Sequence, residues 1–201
     1  MSEAAGRGVC LVIGAGDGLG AAVARAFARE GLSVCVTRRP RRLEAVENLA
    51  ASIRSDGGEA HGFGLDARVE ADVAAAIERI ERTIGPLEVL VFNIGANVRF
   101  PIVETTTQVY SKVWEMACLA GFLTSREAAR AMAPRGRGTI IFTGATASVR
   151  GGSGYSAFAG AKHCFGRWRK VLPANWAEGA PCRARRHRRR DRRRLYPRPH
   201  A

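Results

Sequence analysis

The sequence predicts an α/β fold: a Rossmann-like, doubly wound parallel sheet in three αβα layers, lacking its last strands. Three observations predict it. Strand-length runs alternate with segments of helical periodicity from residue 8 onward, the runs are apolar almost throughout, and a glycine-rich turn separates the first run from the first helix. Strands apolar at consecutive positions are buried on both faces, which requires helices above and below a parallel sheet. The right-handed crossover rule then winds the chain outward from the first strand in both directions.

Each element has its own local warrant. "GVCLVI" (8–13) is the first strand, and "GLGAAVARAFAREG" carries apolar residues at helical spacing up to Gly31. "LSVCVT" is the second strand; the helix after it is opened by Pro40 and closed by glycines. "EAHGFGLD" fits a short third strand, "VEADVAAAIERIERTIG" a helix, and "PLEVLVFNIG" a fourth strand. A long helix is expected over about 107–133, a fifth strand at "GTIIFTG", and a further helix from near Tyr155.

A chain of 201 residues with 46% hydrophobic and 25% charged residues is suited to one globular domain. Its apolar runs fall far short of the roughly 20 residues a membrane span needs. "MSEAAGRG" has no basic-then-apolar leader, so a cytoplasmic location is expected. The five cysteines show no CxxC spacing and the four histidines no ligand spacing, which favours reduced thiols and no metal site.

The net charge of +14 is unevenly spread. From His163 onward there are thirteen Lys/Arg against two acids, leaving nineteen against sixteen for residues 1–162. The expected division is therefore a core at 1–162 and an aberrant, partly disordered Arg-rich tail at 163–201.

"GAGDGLG" places Gly14, Gly18 and Gly20, with Leu19, between strand and helix. Glycines admit a tight turn and let backbone N–H groups approach a pyrophosphate, and the helix N-terminus adds partial positive charge. The alternative is close helix–strand packing alone. At the end of the second strand, "TRRPRR" puts Arg38 and Arg39 where an acid would accept from a free ribose 2′-hydroxyl. Arginines there suit a 2′-phosphate, so NADP(H) is favoured over NAD(H); a solvated basic turn is the alternative.

The glycine pattern at 14–20, "FNIG" ending the fourth strand, and an aromatic-x-x-x-Lys segment at 158–162 together resemble the short-chain dehydrogenases/reductases over residues 8–162. The resemblance implies an oxidoreductase acting on a carbonyl or alcohol, pairing into dimers or tetramers through its long helices. It implies a phosphate loop at Gly14, Gly18 and Gly20, an adenine-side acid at Asp66, and motif positions at Asn93 and Gly95. Lys162 matches the family lysine, which also binds the nicotinamide ribose.

The other catalytic positions depart from the family pattern. Cys118 stands at its asparagine, Ala145 at its serine and Phe158 at its tyrosine. Hydride transfer to a carbonyl leaves an alkoxide that needs a proton, which phenylalanine cannot give and alanine cannot orient. Weak or absent activity follows. Tyr155, one turn earlier, is a candidate replacement donor, and Thr143, Thr146 and Ser148 offer hydroxyls nearby. One helical turn, however, displaces a hydroxyl by about 5 Å along the axis.

The tail "RARRHRRRDRRRLYPRPH" holds ten arginines in eighteen residues. Read literally, it is a polycation suited to nucleic acid. Such strings also arise when GC-rich coding sequence is read out of frame. Codons chosen from those permitted for 183–200 and shifted by one base can yield an apolar strand, and those for 162–175, shifted by two, an amphipathic helix. The reading is thus an NADP(H)-type oxidoreductase, relic or altered in mechanism. The alternatives are a non-catalytic dinucleotide-binding protein and, through a genuine tail, a nucleic-acid binder.

Overall fold

The computed structural model describes residues 8–176. Five strands form one parallel sheet: β1 (Val9–Ile13), β2 (Ser33–Arg38), β3 (Ala60–Gly64), β4 (Leu87–Phe92) and β5 (Thr139–Phe142). Their order is β3-β2-β1-β4-β5, so the chain winds one way from β1, then returns to continue on its other side. In such a sheet the crevice for a ligand opens at the carboxyl ends of β1 and β4, where the winding reverses.

β1 explains the layering. Val9, Leu11 and Ile13 pack on one side, against Val73, Ile77 and Ile80 of α3 (Glu70–Thr83) and residues of α5 (Ala120–Met132). Cys10 and Val12 pack on the other side, with Ala24 of α1 (Leu19–Arg29) and Val46, Ala50 and Ile53 of α2 (Leu43–Ser55). All five β1 residues are buried, as a strand covered on both faces must be. Each fully buried Leu, Ile or Val contributes about 1.5–3 kcal/mol over its exposed form, and these two clusters therefore fix the sheet.

The long helix expected over 107–133 is not uniform. α4 (Thr107–Trp114) passes through a π-helical turn at Glu115–Leu119 into α5. Thr106 caps its start, its hydroxyl accepting from the Val109 N–H at 3.2 Å. A widened turn of this kind is frequent at functional sites, and Cys118 lies within it. A short α6 (Thr146–Arg150), not anticipated from sequence, follows β5.

α7 (Ser156–Trp176) runs through the boundary expected between core and tail. Phe165 stacks on Phe142 with ring centroids 4.7 Å apart and meets Phe92 edge-on at 5.5 Å. Gly121 makes this approach possible, because a Cβ there would lie 2.8 Å from the Phe165 ring. Phe165, Cys164 and Trp168 therefore pack with the core, despite the change in charge. Among the described residues β5 is paired on one edge only, and Ile141 is 40% exposed. Residues 177–201 of the expected tail, with the arginine run and the strand sought there, lie outside the described residues.

Candidate functional site

The carboxyl end of β1 turns at Gly14, whose φ of +86° suits glycine. A Cβ there would also press on the Asn93 and Ile94 backbone at 3.2 Å. Asn93 then joins three strand ends. Its N–H donates to the Ile13 carbonyl at 2.8 Å, its side-chain amide donates to the Gly14 carbonyl at 3.1 Å, and its Oδ1 accepts from the Thr143 hydroxyl at 2.8 Å.

Gly18 and Gly20 differ in what surrounds them. A Cβ on Gly20 would stand 2.8 Å from both the Ala15 Cα and the Gly14 carbonyl oxygen, so this glycine lets α1 close onto the turn. A Cβ on Gly18 would meet nothing within 4 Å. That open space beside the α1 N-terminus, next to Leu19 at 57% exposure, is what an anionic pyrophosphate requires.

A cavity of about 270 Å³ begins at this turn. Gly14, Gly16, Asn93, Gly95, Asp66 and Arg68 line it with a group of four further arginines: Arg38, Arg39, Arg41 and Arg42. Arg38 ends β2, and the tight Pro40–Arg42 turn brings the rest to the same mouth. None of these four arginines forms an ion pair among the described residues. Asp66 is the sole acid lining the cavity and is held by Arg68: Nη2 donates to Oδ2 at 2.6 Å, while Nε and the backbone N–H donate to Oδ1 at 2.9 and 3.1 Å. The Arg68 hydrogen bonds keep its carboxyl below the usual range. The glycine cradle, the open approach at Gly18 and the cationic end fit a dinucleotide with its pyrophosphate at the turn.

The second group of predicted residues lies in a separate apolar cluster. Phe158 is buried with Ala96, Val113, Ala117, Ala157 and Ala161, and Cys118, Ala145 and Tyr155 pack against them. No hydroxyl stands at the Phe158 or Ala145 position. Tyr155 precedes α7, its ring 6.1 Å from that of Phe158, with the Arg99 guanidinium 5.9 Å above it. The Ser148 hydroxyl is spent on the Ala145 carbonyl at 2.6 Å.

Lys162 is 3% exposed, and its ammonium donates to the carbonyls of Ile94 at 2.6 Å and Thr143 at 3.1 Å. The Phe165 and Phe92 rings lie 4.9 and 5.7 Å from it. Burial pushes its pKa down to about 8. The structure thus brings Gly14, Arg38, Arg39, Asp66, Asn93 and Gly95 to one cavity, while Gly18, Leu19 and Gly20 stand at the start of α1 outside that lining. It sets Phe158, Ala145, Cys118 and Tyr155 apart from that lining. Sequence reasoning missed Arg68, Arg41 and Arg42, although the "RRPRR" run and the two-residue spacing from Asp66 carried the signal.

Fold and crevice together define an α/β protein of the dinucleotide-binding Rossmann class. The sequence profile of the short chain dehydrogenase family matches residues 8–179. The chain belongs to that family of oxidoreductases, whose members bind a nicotinamide dinucleotide. The Bacillus subtilis oxidoreductase YxjF is 35% identical over 156 residues, covering 77% of this chain and 60% of its own. The chain thus spans less than two thirds of that relative. The 2-(S)-hydroxypropyl-CoM dehydrogenase 3 of Xanthobacter autotrophicus is 30% identical, over 88% of this chain and 69% of its own.

Among solved structures, a short-chain dehydrogenase from Rhodopseudomonas palustris is 48% identical with a TM-score of 0.75, covering 86% of this chain and 78% of its own. NAD+-bound xylitol dehydrogenase aligns at a TM-score of 0.80 and 26% identity, over 88% of this chain and 67% of its own. Actinorhodin polyketide ketoreductase with NADPH aligns at 0.80 and 27%, over 87% and 67%. Among the described residues no helix is long and apolar enough to cross a membrane.

Proposed function

We propose that this chain binds NADP(H) in preference to NAD(H) and is a short-chain oxidoreductase of the carbonyl/alcohol class with weak or absent turnover. The observation that carries the reading is the cavity lined by Gly14, Asn93 and four unpaired arginines. Arginine presents a planar fork that matches a phosphate dianion, and Arg38 and Arg39 lead that group from the end of β2.

When bound, the nicotinamide supplies or takes a hydride. The chain's own residues would hold its phosphates at the glycine turn, and the pocket end near Ile94 and Gly95 would face the reacting ring. Proton delivery is where the chain is poor. Phe158 offers no exchangeable proton, and Ala145 no hydroxyl to hold a carbonyl oxygen. The Lys162 ammonium is engaged by two backbone carbonyls. Removing one proton donor or one oxyanion donor costs on the order of a hundred- to a thousandfold in rate.

Tyr155 supports a less favoured reading in which it replaces the absent donor. Its ring is held between Phe158 and Arg99, and no contact joins it to Lys162. The test is a fluorescence titration with NADPH and NADH, followed by a ketone panel on wild type and Tyr155→Phe. The proposal expects NADPH to bind more tightly and little turnover. Brisk turnover abolished by Tyr155→Phe would favour the relocated donor.

A further inference from the structure

We infer that Arg68 is a specificity-determining residue for the phosphorylated cofactor, acting by masking Asp66. The inference rests on the dinucleotide reading of the cavity and deepens it. Asp66 is the sole acid among the residues lining that cavity, and it shares the space with Arg38, Arg39, Arg41 and Arg42. A bare carboxylate there would repel a 2′-phosphate carrying nearly two negative charges.

Arg68 removes that repulsion. Its side chain engages both Asp66 oxygens, at 2.9 Å through Nε and 2.6 Å through Nη2, and its own N–H adds a third bond at 3.1 Å. This is the two-point fork that fixes a guanidinium in the carboxylate plane. The remaining Nη1 lies 3.9 Å from Glu115, the first residue of the π-helical turn, so the guanidinium is held from two sides. The side chains of Asp66 and Arg68 are 20% and 31% exposed, which limits solvent screening of the pair. With the pair neutral, the four remaining arginines set the sign of the cavity. Oδ1 accepts two of these bonds and Oδ2 one, so Oδ2 keeps a lone pair for a neutral donor on the ligand and the masked acid still orients without repelling.

The test is the ratio of NADPH to NADH dissociation constants, from fluorescence titration of full-length protein, for wild type, Arg68→Gln, Arg68→Lys, Asp66→Asn and Asp66→Asn/Arg68→Gln. The inference expects Arg68→Gln to shift the ratio toward NADH by about three- to tenfold at low salt, and Arg68→Lys to shift it less. The Asp66→Asn/Arg68→Gln pair is neutral like the wild-type pair, so the double variant should return the ratio to near the wild-type value. Circular dichroism identifies folded variants; should Arg68→Gln unfold, Arg68→Lys at two salt concentrations carries the comparison. An unchanged ratio in Arg68→Gln, or a double variant that stays as far from the wild-type ratio as Arg68→Gln, overturns the inference. Wild-type preference for NADH overturns the NADP(H) reading alone, since the ratio still moves if Arg68 acts as described. Failure to bind either dinucleotide overturns both.

Discussion

The Lys162 ammonium donates to the Ile94 carbonyl at 2.6 Å, tying the middle of α7 to the chain just beyond β4. With the Thr143 carbonyl at 3.1 Å, it draws the ends of β4 and β5 together. The lysine is therefore a structural clasp in this chain, whatever else it does.

Its titration has a defined sign. Burial pushes the pKa from 10.5 down to about 8, so the unfolded chain binds more protons than the folded chain between these values. Stability at this site should rise with pH across that window, by about 2 to 3 kcal/mol from pH 7 to pH 10. Urea unfolding of wild type and Lys162→Met at several pH values isolates the effect. The wild-type minus variant difference should grow as pH rises, and a flat difference would refute it.

Gly18 and Gly20 should separate binding from folding. Gly20→Ala forces a methyl to 2.8 Å from Ala15 and the Gly14 carbonyl, and overpacking of this kind costs about 1–3 kcal/mol. Gly18→Ala meets no neighbour, so stability should hold within about 0.5 kcal/mol while dinucleotide affinity falls. Thermal unfolding and NADPH titration of both variants check the contrast.

Most of the fold was legible because β1 is an uninterrupted apolar run and β2, β4 and β5 are largely apolar, each set off by glycine, proline or charge. The register of Cys10 with Val34 and Val89 was not legible, because β1 is apolar on both faces and a slip would bury it equally well. The π-helical turn at Cys118 was not legible, since a single widened turn leaves no periodic trace. α6 has five residues, too few for periodicity. Phe165 and Trp168 were assigned to the tail because the arginines beyond them dominated the composition, yet both pack on Phe142. In the site, the glycine turn and Arg38 could be read from spacing. The Lys162 bonds to Ile94 and Thr143 depend on three elements meeting and could not.

Restoring lost hydroxyls tests the catalytic account. Phe158→Tyr alone places a phenol in a largely apolar cluster and should cost about 1–3 kcal/mol if it stays unpaired. Adding Ala145→Ser supplies a partner hydroxyl on the same cluster. The double variant should raise ketone-dependent NADPH oxidation by at least roughly tenfold over wild type. A stable double variant with no gain would place the defect elsewhere.

Arg38 should govern cofactor choice. Arg38→Glu puts an acid where a ribose 2′-hydroxyl would be received and removes a phosphate partner. NADPH affinity should fall about tenfold or more, with NADH affinity maintained or improved. Parallel titrations at low and high salt report it.

The most direct measurement is a titration of purified full-length protein with NADPH and NADH at matched ionic strength. Saturable binding of both, tighter for NADPH and weakening steeply with salt, is the predicted result. No binding of either at millimolar concentration would contradict the account at its base.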